Sequence, residues 1–200
     1  MTEADRPAPG KLFYVVGASG AGKDSIIAGF REKLRREHGC RVAHRYITRK
    51  PDPEGENHVA LTDEEFHQRR ILGEFCMAWT ANGHQYGIST EIDRWLAQGL
   101  NVIVNGSRAY LQDAISQYGP QLVTVWIKVD PSVLRDRLIA RGRESARAIE
   151  QRITRAELLE DAMPSSAWVL TNDGPLTDAV SDLLAIVEGQ EPAPAGAAAQ

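Results

Sequence analysis

Gly17-Ala18-Ser19-Gly20-Ala21-Gly22-Lys23-Asp24-Ser25 follows the apolar run Leu12-Phe13-Tyr14-Val15-Val16 and opens a segment of helical character. A strand, a glycine-rich turn, a lysine and a helix in that order make a phosphate-binding loop. Small residues let successive backbone amides turn inward around a polyphosphate, because no side chain blocks them. The helix N-terminus adds partial positive charge, and Lys23 adds a full one against the outer phosphates. Gly17 through Ser25 are therefore the expected binding residues for a nucleoside triphosphate.

One position departs from the usual pattern. Asp24 stands after the lysine, where a Ser or Thr normally offers its hydroxyl to Mg²⁺. Ser25 does not simply take over, since one helical step turns a side chain by about 100°. Asp24 and Ser25 are the candidate metal residues, the alternative being Mg²⁺ held mainly by phosphate and water oxygens. An anion is tolerable there because a helix N-terminus favours it.

Two hundred residues suit one α/β domain with a small insertion. The 42% hydrophobic fraction supplies a core, and the 25% charged residues supply a soluble surface. A net charge of −4 attracts neither nucleic acid nor anionic membrane, so neither is an expected partner. No apolar stretch approaches the roughly 20 residues a spanning helix needs. The opening MTEADRPAPG is acidic and proline-rich, which is no signal peptide. Cys40 and Cys76 lie far apart without a CxxC pattern, as expected of a cytoplasmic protein without disulfides.

Residues 1–10 and 189–200 lack apolar periodicity and are expected to be disordered tails around a single domain at 11–188. Within it, apolar runs alternate with amphipathic ones, the pattern of a parallel sheet with crossover helices. The expected strands are Leu12–Val16, Val42–Ile47, Asn101–Asn105, Leu122–Val129 and Trp168–Leu170. The expected helices are Asp24–Glu37, Asp63–Ile71, Glu91–Gln98, Ala109–Gln117, Pro131–Ala140, Ala148–Ala162 and Leu176–Glu188. Asp130 before Pro131 reads as a cap followed by a first helical position. Two segments break the alternation. Residues 48–90 form a long polar excursion, read as an acceptor-binding region, and residues 141–147 form a basic link, read as a lid.

Seven arginines stand between 135 and 155, at 135, 137, 141, 143, 147, 152 and 155, against Asp136, Glu144 and Glu150. Arg152 and Arg155 share one helical face, while Ile149 and Ile153 mark another. A solvated helix face is the plain reading. The functional one is a lid whose planar guanidinium forks stabilise charge on a transferring phosphoryl group. Arg141 and Arg143, flanking Gly142, lead the candidates, followed by Arg152. On the acceptor side Arg45 and Arg49 suit bidentate pairing with a phosphate. Thr48, Glu56, His58 and Tyr86 lie in loops rich in hydrogen-bonding groups. Asn105-Gly106-Ser107-Arg108 ends an apolar strand, where such sheets present side chains to ligands. Arg108 suits a phosphate, and Ser107 suits either the ligand or a helix cap.

These motifs in this order resemble the guanylate kinase-like branch of the nucleoside monophosphate kinases and, within it, the ribose 1,5-bisphosphate phosphokinases. The resemblance runs from about Lys11 to about Val187 and rests on GASGAGKDS, VAHRYITR (Val42–Arg49), ENHVAL (Glu56–Leu61), ANGHQYG (Ala81–Gly87), EIDRWLAQG (Glu91–Gly99), VNGSR (Val104–Arg108) and RGRE (Arg141–Glu144). It implies a P-loop NTPase fold, a five-stranded parallel sheet flanked by helices, with an acceptor-binding insertion and a lid. It also implies transfer of the ATP γ-phosphoryl group, with Mg²⁺, to the 1-phosphate of ribose 1,5-bisphosphate. The product is 5-phosphoribosyl 1-diphosphate (PRPP), in phosphonate degradation. Lys23, Arg141, Arg143 and Arg152 would then be catalytic, and Arg45, Thr48, Arg49, Glu56, His58, Tyr86, Asn105, Ser107 and Arg108 would bind the acceptor. Departures from guanylate kinase bear on specificity. Lys50-Pro51-Asp52 lacks that family's second arginine, and Met77 stands where a base-reading glutamate is usual. Methionine accepts no strong hydrogen bond from guanine, so GMP is expected to be a poor substrate. A nucleoside monophosphate kinase of unusual specificity and a non-catalytic interaction module are the competing readings.

Overall fold

The structure is a computed structural model that describes residues 8–50, 58–142, 145–158, 160 and 162–190. Its first strand is β1 (Leu12–Gly17), all six residues of which are buried. An unbroken apolar run is what a strand covered on both faces requires. After the phosphate loop come α1 (Lys23–Lys33), β2 (Cys40–Val42), β3 (Arg45–Ile47), β4 (Val59–Ala60) and α2 (Asp63–Ile71). Then follow β5 (Phe75–Ala81), β6 (His84–Ser89), α3 (Glu91–Ala97), β7 (Asn101–Asn105) and α4 (Leu111–Tyr118). The chain closes with β8 (Leu122–Lys128), α5 (Pro131–Arg141), α6 (Ala146–Leu158), β9 (Trp168–Thr171) and α7 (Leu176–Val187).

The expected five-stranded sheet is present, in the order β2-β7-β1-β8-β9. Its β2–β7 and β8–β9 pairs are parallel, with Cys40 opposite Asn101 and Val125 opposite Trp168. A second sheet, in the order β4-β3-β6-β5, was not foreseen. Chain contacts divide the protein into two compact units, one of Leu34–Val123 with the chain up to Tyr14, the other of Val15–Lys33 with the chain from Thr124.

In the first unit, the single strand expected over Val42–Ile47 is two. Cys40–Val42 runs parallel to β7, whereas Arg45–Ile47 pairs antiparallel with β6, Arg45 opposite Ile88 and Ile47 opposite Tyr86. Alternation along one continuous run reports strand character, not which partner each half takes. The polar excursion holds a hairpin, β5 with β6, turned by Asn82 at φ 50° and Gly83 at φ 76°. Asn-Gly between two runs is the strongest short-range hairpin signal, so this element was legible. Helix α2 has the bounds expected of it. Thr62 caps it, accepting from Glu65 N at 3.1 Å while Glu65 Oε2 accepts from Thr62 N at 2.7 Å.

In the second unit, α1 stops four residues short of the expected Glu37. Its buried Ile26 and Ile27 lie about one turn before the buried Phe30 on the packed face, and its exposed Asp24 lies in the first turn. Asp130 caps α5 as expected, accepting from Ser132 N at 2.8 Å ahead of Pro131. Helix α6 buries Ile149 and Ile153, the face read from their spacing. Of the expected tails, only residues 8–10 and 189–190 fall within the described chain.

Candidate active site

The second unit holds the phosphate loop. Gly20 and Gly22 adopt φ 95° and 86°, a region closed to most residues bearing a Cβ, and so bend the loop between β1 and α1. Lys23 Nζ folds back over its own loop, donating to Gly17 O at 3.0 Å and Ala18 O at 2.9 Å. Asn172, buried just past β9, donates through Nδ2 to Ala21 O at 2.8 Å. Arg152 on α6 donates to Ser19 Oγ at 2.7 Å. The loop is therefore braced by its own lysine and by two later segments.

Beside the loop lies a cavity of about 300 Å³ lined by Gly20, Gly22, Ser25, Arg137, Arg141 and Asn172 among others. Arg137 Nη1 is buried there with no hydrogen-bond partner among the described residues. An unsatisfied buried guanidinium nitrogen is costly, and an anionic or carbonyl acceptor in the cavity relieves that cost. Arg135, by contrast, is a structural residue. It grips Glu150 with two bonds of 2.9 Å between α5 and α6, which lowers the Glu150 carboxyl and raises the Arg135 guanidinium. Arg155 is exposed on α6. Arg141 ends α5, with Gly142 in the left-handed conformation of a helix stop. Arg143 and Glu56 lie outside the described residues.

For Mg²⁺ the loop offers Asp24 and Ser25, both exposed at the start of α1. Among the described residues no group of three His, Cys, Asp or Glu side chains surrounds a common point. This donor set fits an ion carried largely by phosphate and water oxygens.

The first unit gathers most of the expected acceptor residues. Arg45 lies 5.3 Å over the ring of Tyr86. Tyr86 is buried and stacks on its cross-strand neighbour Trp79, with centroids 5.6 Å apart and planes 2° from parallel. Trp79 also stacks on Tyr110 at 5.5 Å. Tyr110 closes the short turn Arg108–Tyr110, so Arg108 stands at the same turn. Ser107 does not cap that turn. Its backbone is clasped instead by the Tyr14 hydroxyl, which accepts from Ser107 N at 3.0 Å and donates to Ser107 O at 3.3 Å. Burial holds the Tyr14 phenol far above its ordinary range, so it stays a donor. Asn105 is buried at the end of β7.

Thr48 and His58 brace the sheet. Thr48 Oγ1 accepts from Gln85 N at 3.0 Å, and His84 Nδ1 meets Thr48 O at 2.9 Å. His58 Nε2 meets Arg49 O at 3.1 Å. The reading from residues alone passed over Arg137 and Asn172 as site members, and over Tyr14, Trp79 and Tyr110. Asn172 repeats a signal already used, a polar residue just past a strand's C-terminal end. A tyrosine in the otherwise apolar run of β1 was a second one.

The chain matches the guanylate kinase family over residues 10–190. It is 45% identical to ribose 1,5-bisphosphate phosphokinase PhnN of Psychromonas ingrahamii, over 92% of this chain and 93% of that protein. The namesake proteins of Pectobacterium parmentieri and Thiobacillus denitrificans share 50% and 51%, over 86% and 74% of this chain and 90% and 77% of theirs. The chain belongs to the guanylate kinase family, among its ribose 1,5-bisphosphate phosphokinases. In fold it is similar to guanylate kinase from Anaplasma phagocytophilum, with a TM-score of 0.72 at 13% identity, covering 94% of this chain and 90% of that one. Within the guanylate kinase frame, Met77 is 1% exposed, packed inside its unit next to the bulge between Phe75 and Met77. No base-reading group stands there.

Proposed function

We propose that the protein transfers the γ-phosphoryl group of ATP to the 1-phosphate of ribose 1,5-bisphosphate, giving PRPP and ADP. An oxygen of the acceptor phosphate bonds to the γ-phosphorus as the bond from that phosphorus to the ADP oxygen breaks. The acceptor oxygen is already ionised near neutral pH, so the step needs no strong general base. It needs two polyanions aligned with their repulsion neutralised. The observation that supports this most is the loop itself: Lys23 drawn over it, Arg152 on Ser19, and the unsatisfied Arg137 Nη1 in the adjoining cavity.

In this reading Lys23, Arg141, Arg143 and Arg152 stabilise charge on the transferring group, and Arg137 joins them on the nucleotide side. Gly17–Ser25 cradle the triphosphate. Asp24 and Ser25 would hold Mg²⁺, which when bound would supply further charge neutralisation between the phosphates. Arg45, Arg49 and Arg108 hold the two acceptor phosphates. Glu56, Asn105 and Ser107 line the sugar, while Thr48, His58 and Tyr86 support the residues that do. The net charge of −4 suits a small-molecule enzyme.

The test is a phosphoryl-transfer assay with Mg-ATP, offering ribose 1,5-bisphosphate and GMP in parallel. PRPP formation with negligible GDP is the expected result. Efficient GDP formation instead would make the chain a nucleoside monophosphate kinase, and no transfer to either would leave the interaction-module reading.

A further inference from the structure

Resting on the acceptor assignment above, we propose that Trp79 is a positioning residue that makes the site selective for a sugar carrying two phosphates. It does so as the centre of an aromatic column linking the two cationic ends of the acceptor site. Arg45 lies over Tyr86, Tyr86 stacks on Trp79, and Trp79 stacks on Tyr110, whose turn begins with Arg108. All five residues belong to the first unit.

Three physical points carry the inference. Aromatic side chains have two rotatable bonds, and stacked partners remove most of that freedom, so the column acts as a stiff spacer. A guanidinium held over a ring gains cation–π attraction that fixes its place. The far end is pinned as well. Tyr110 stacks on Trp79 of β5 with ring centroids 5.5 Å apart, and burial raises its phenol. The turn carrying Arg108 is therefore registered against β5, as Arg45 is registered against β6.

A fixed spacing between two guanidinium groups rewards a ligand with two anionic groups at the matching separation. A monophosphate sugar engages one end only. A nucleotide fares worse, because the rings that would stack on its base are already stacked on one another. Trp79 thus acts through Arg45 and Arg108 and touches neither reacting atom.

The experiment compares wild type, Trp79→Leu and Trp79→Phe with ribose 1,5-bisphosphate, ribose 5-phosphate and GMP. Turnover is measured with Mg-ATP, and acceptor binding is measured directly by calorimetry. The leucine variant is expected to raise the KM and the calorimetric Kd for ribose 1,5-bisphosphate at least tenfold. The KM for ATP should stay within twofold, and discrimination against ribose 5-phosphate and GMP should shrink. Phenylalanine, which restores a stackable ring, should recover the acceptor KM to within about threefold. Unchanged acceptor constants in Trp79→Leu, or acceptor and ATP constants rising together, overturn the proposal. Should the leucine variant not fold, Tyr110→Leu breaks the same column from the turn and is read by the same criteria. A wild type that neither binds nor phosphorylates ribose 1,5-bisphosphate overturns the assigned function, and this inference with it. Failure confined to the variants overturns this inference alone.

Discussion

Asn172 Nδ2 donates to the Ala21 carbonyl oxygen at 2.8 Å, joining the end of β9 to the phosphate loop across 151 residues of sequence. The amide is buried, so the bond forms where water does not compete and where loss of the donor strands a carbonyl. It also explains why position 22 is a glycine. Its φ of 86° disfavours a side chain, and a Cβ there would collide with the Asn172 amide nitrogen.

Replacing Asn172 with aspartate keeps the shape but turns a donor into an anionic acceptor facing a carbonyl and the phosphates. Asn172→Asp should therefore weaken ATP binding more than Asn172→Ala, which is checked by nucleotide titration of both variants. Equal affinities would show that the amide only fills space.

Lys23→Ala should lower turnover by roughly 10³-fold, because a charge aimed at the transferring phosphates is lost. The thermal midpoint should change little, since the lysine's bonds to Gly17 O and Ala18 O lie within one half-buried loop. Turnover like wild type would refute the loop mechanism.

Arg137→Met removes a guanidinium whose Nη1 is buried without a partner. The KM for ATP should rise roughly tenfold or more, as expected for a lost charge-assisted hydrogen bond. Without nucleotide the same variant should melt no lower than wild type, because the substitution relieves a desolvated charge. A marked drop in melting temperature would assign Arg137 to structure.

Arg108→Ala should raise the acceptor KM by an order of magnitude or so and leave the ATP KM nearly unchanged. An effect confined to ATP would place Arg108 with the nucleotide.

Burial pushes the Cys76 thiol up to about 11 and the Cys40 thiol up to about 12, from an ordinary value of 9.0. The unfolded chain releases these protons from about pH 9 upward while the folded protein retains them. The contribution of these thiols to stability is therefore level below pH 9 and falls as pH rises toward 11. Urea midpoints at pH 8, 9.5 and 10.5 check the sign. The Cys40→Ala, Cys76→Ala double variant should show a shallower fall, with the remainder carried by Tyr14 and Tyr118, whose phenols are also held up chiefly by burial. Thiols titrated rapidly by a disulfide reagent at pH 8 in native protein would contradict this.

Much of the architecture was legible because its signals are local. The loop from Gly17 to Ser25 is contiguous, the five parallel strands are short apolar runs, and the α2 bounds follow from a capping box. The hairpin β5–β6 carried its own signal in Asn82-Gly83 and was overlooked in a segment read as polar loop. The split of Val42–Ile47 between two sheets was not legible at all. Both halves keep strand character, and only pairing partners elsewhere in the chain separate them.

The sequence by itself determined that this chain binds a polyphosphate, through a loop whose residue types and spacing act over a few bonds. Tertiary structure alone decided which distant side chains complete each site. Asn172 reaches Ala21, Tyr14 clasps Ser107, Trp79 joins Tyr86 to Tyr110, and Arg135 is spent on Glu150 while Arg137 Nη1 lies buried without a partner among the described residues. Hydrogen bonds and ring stacking act over a few ångströms of space. Which residues fall within that range is a property of the packed chain, not of their order along it.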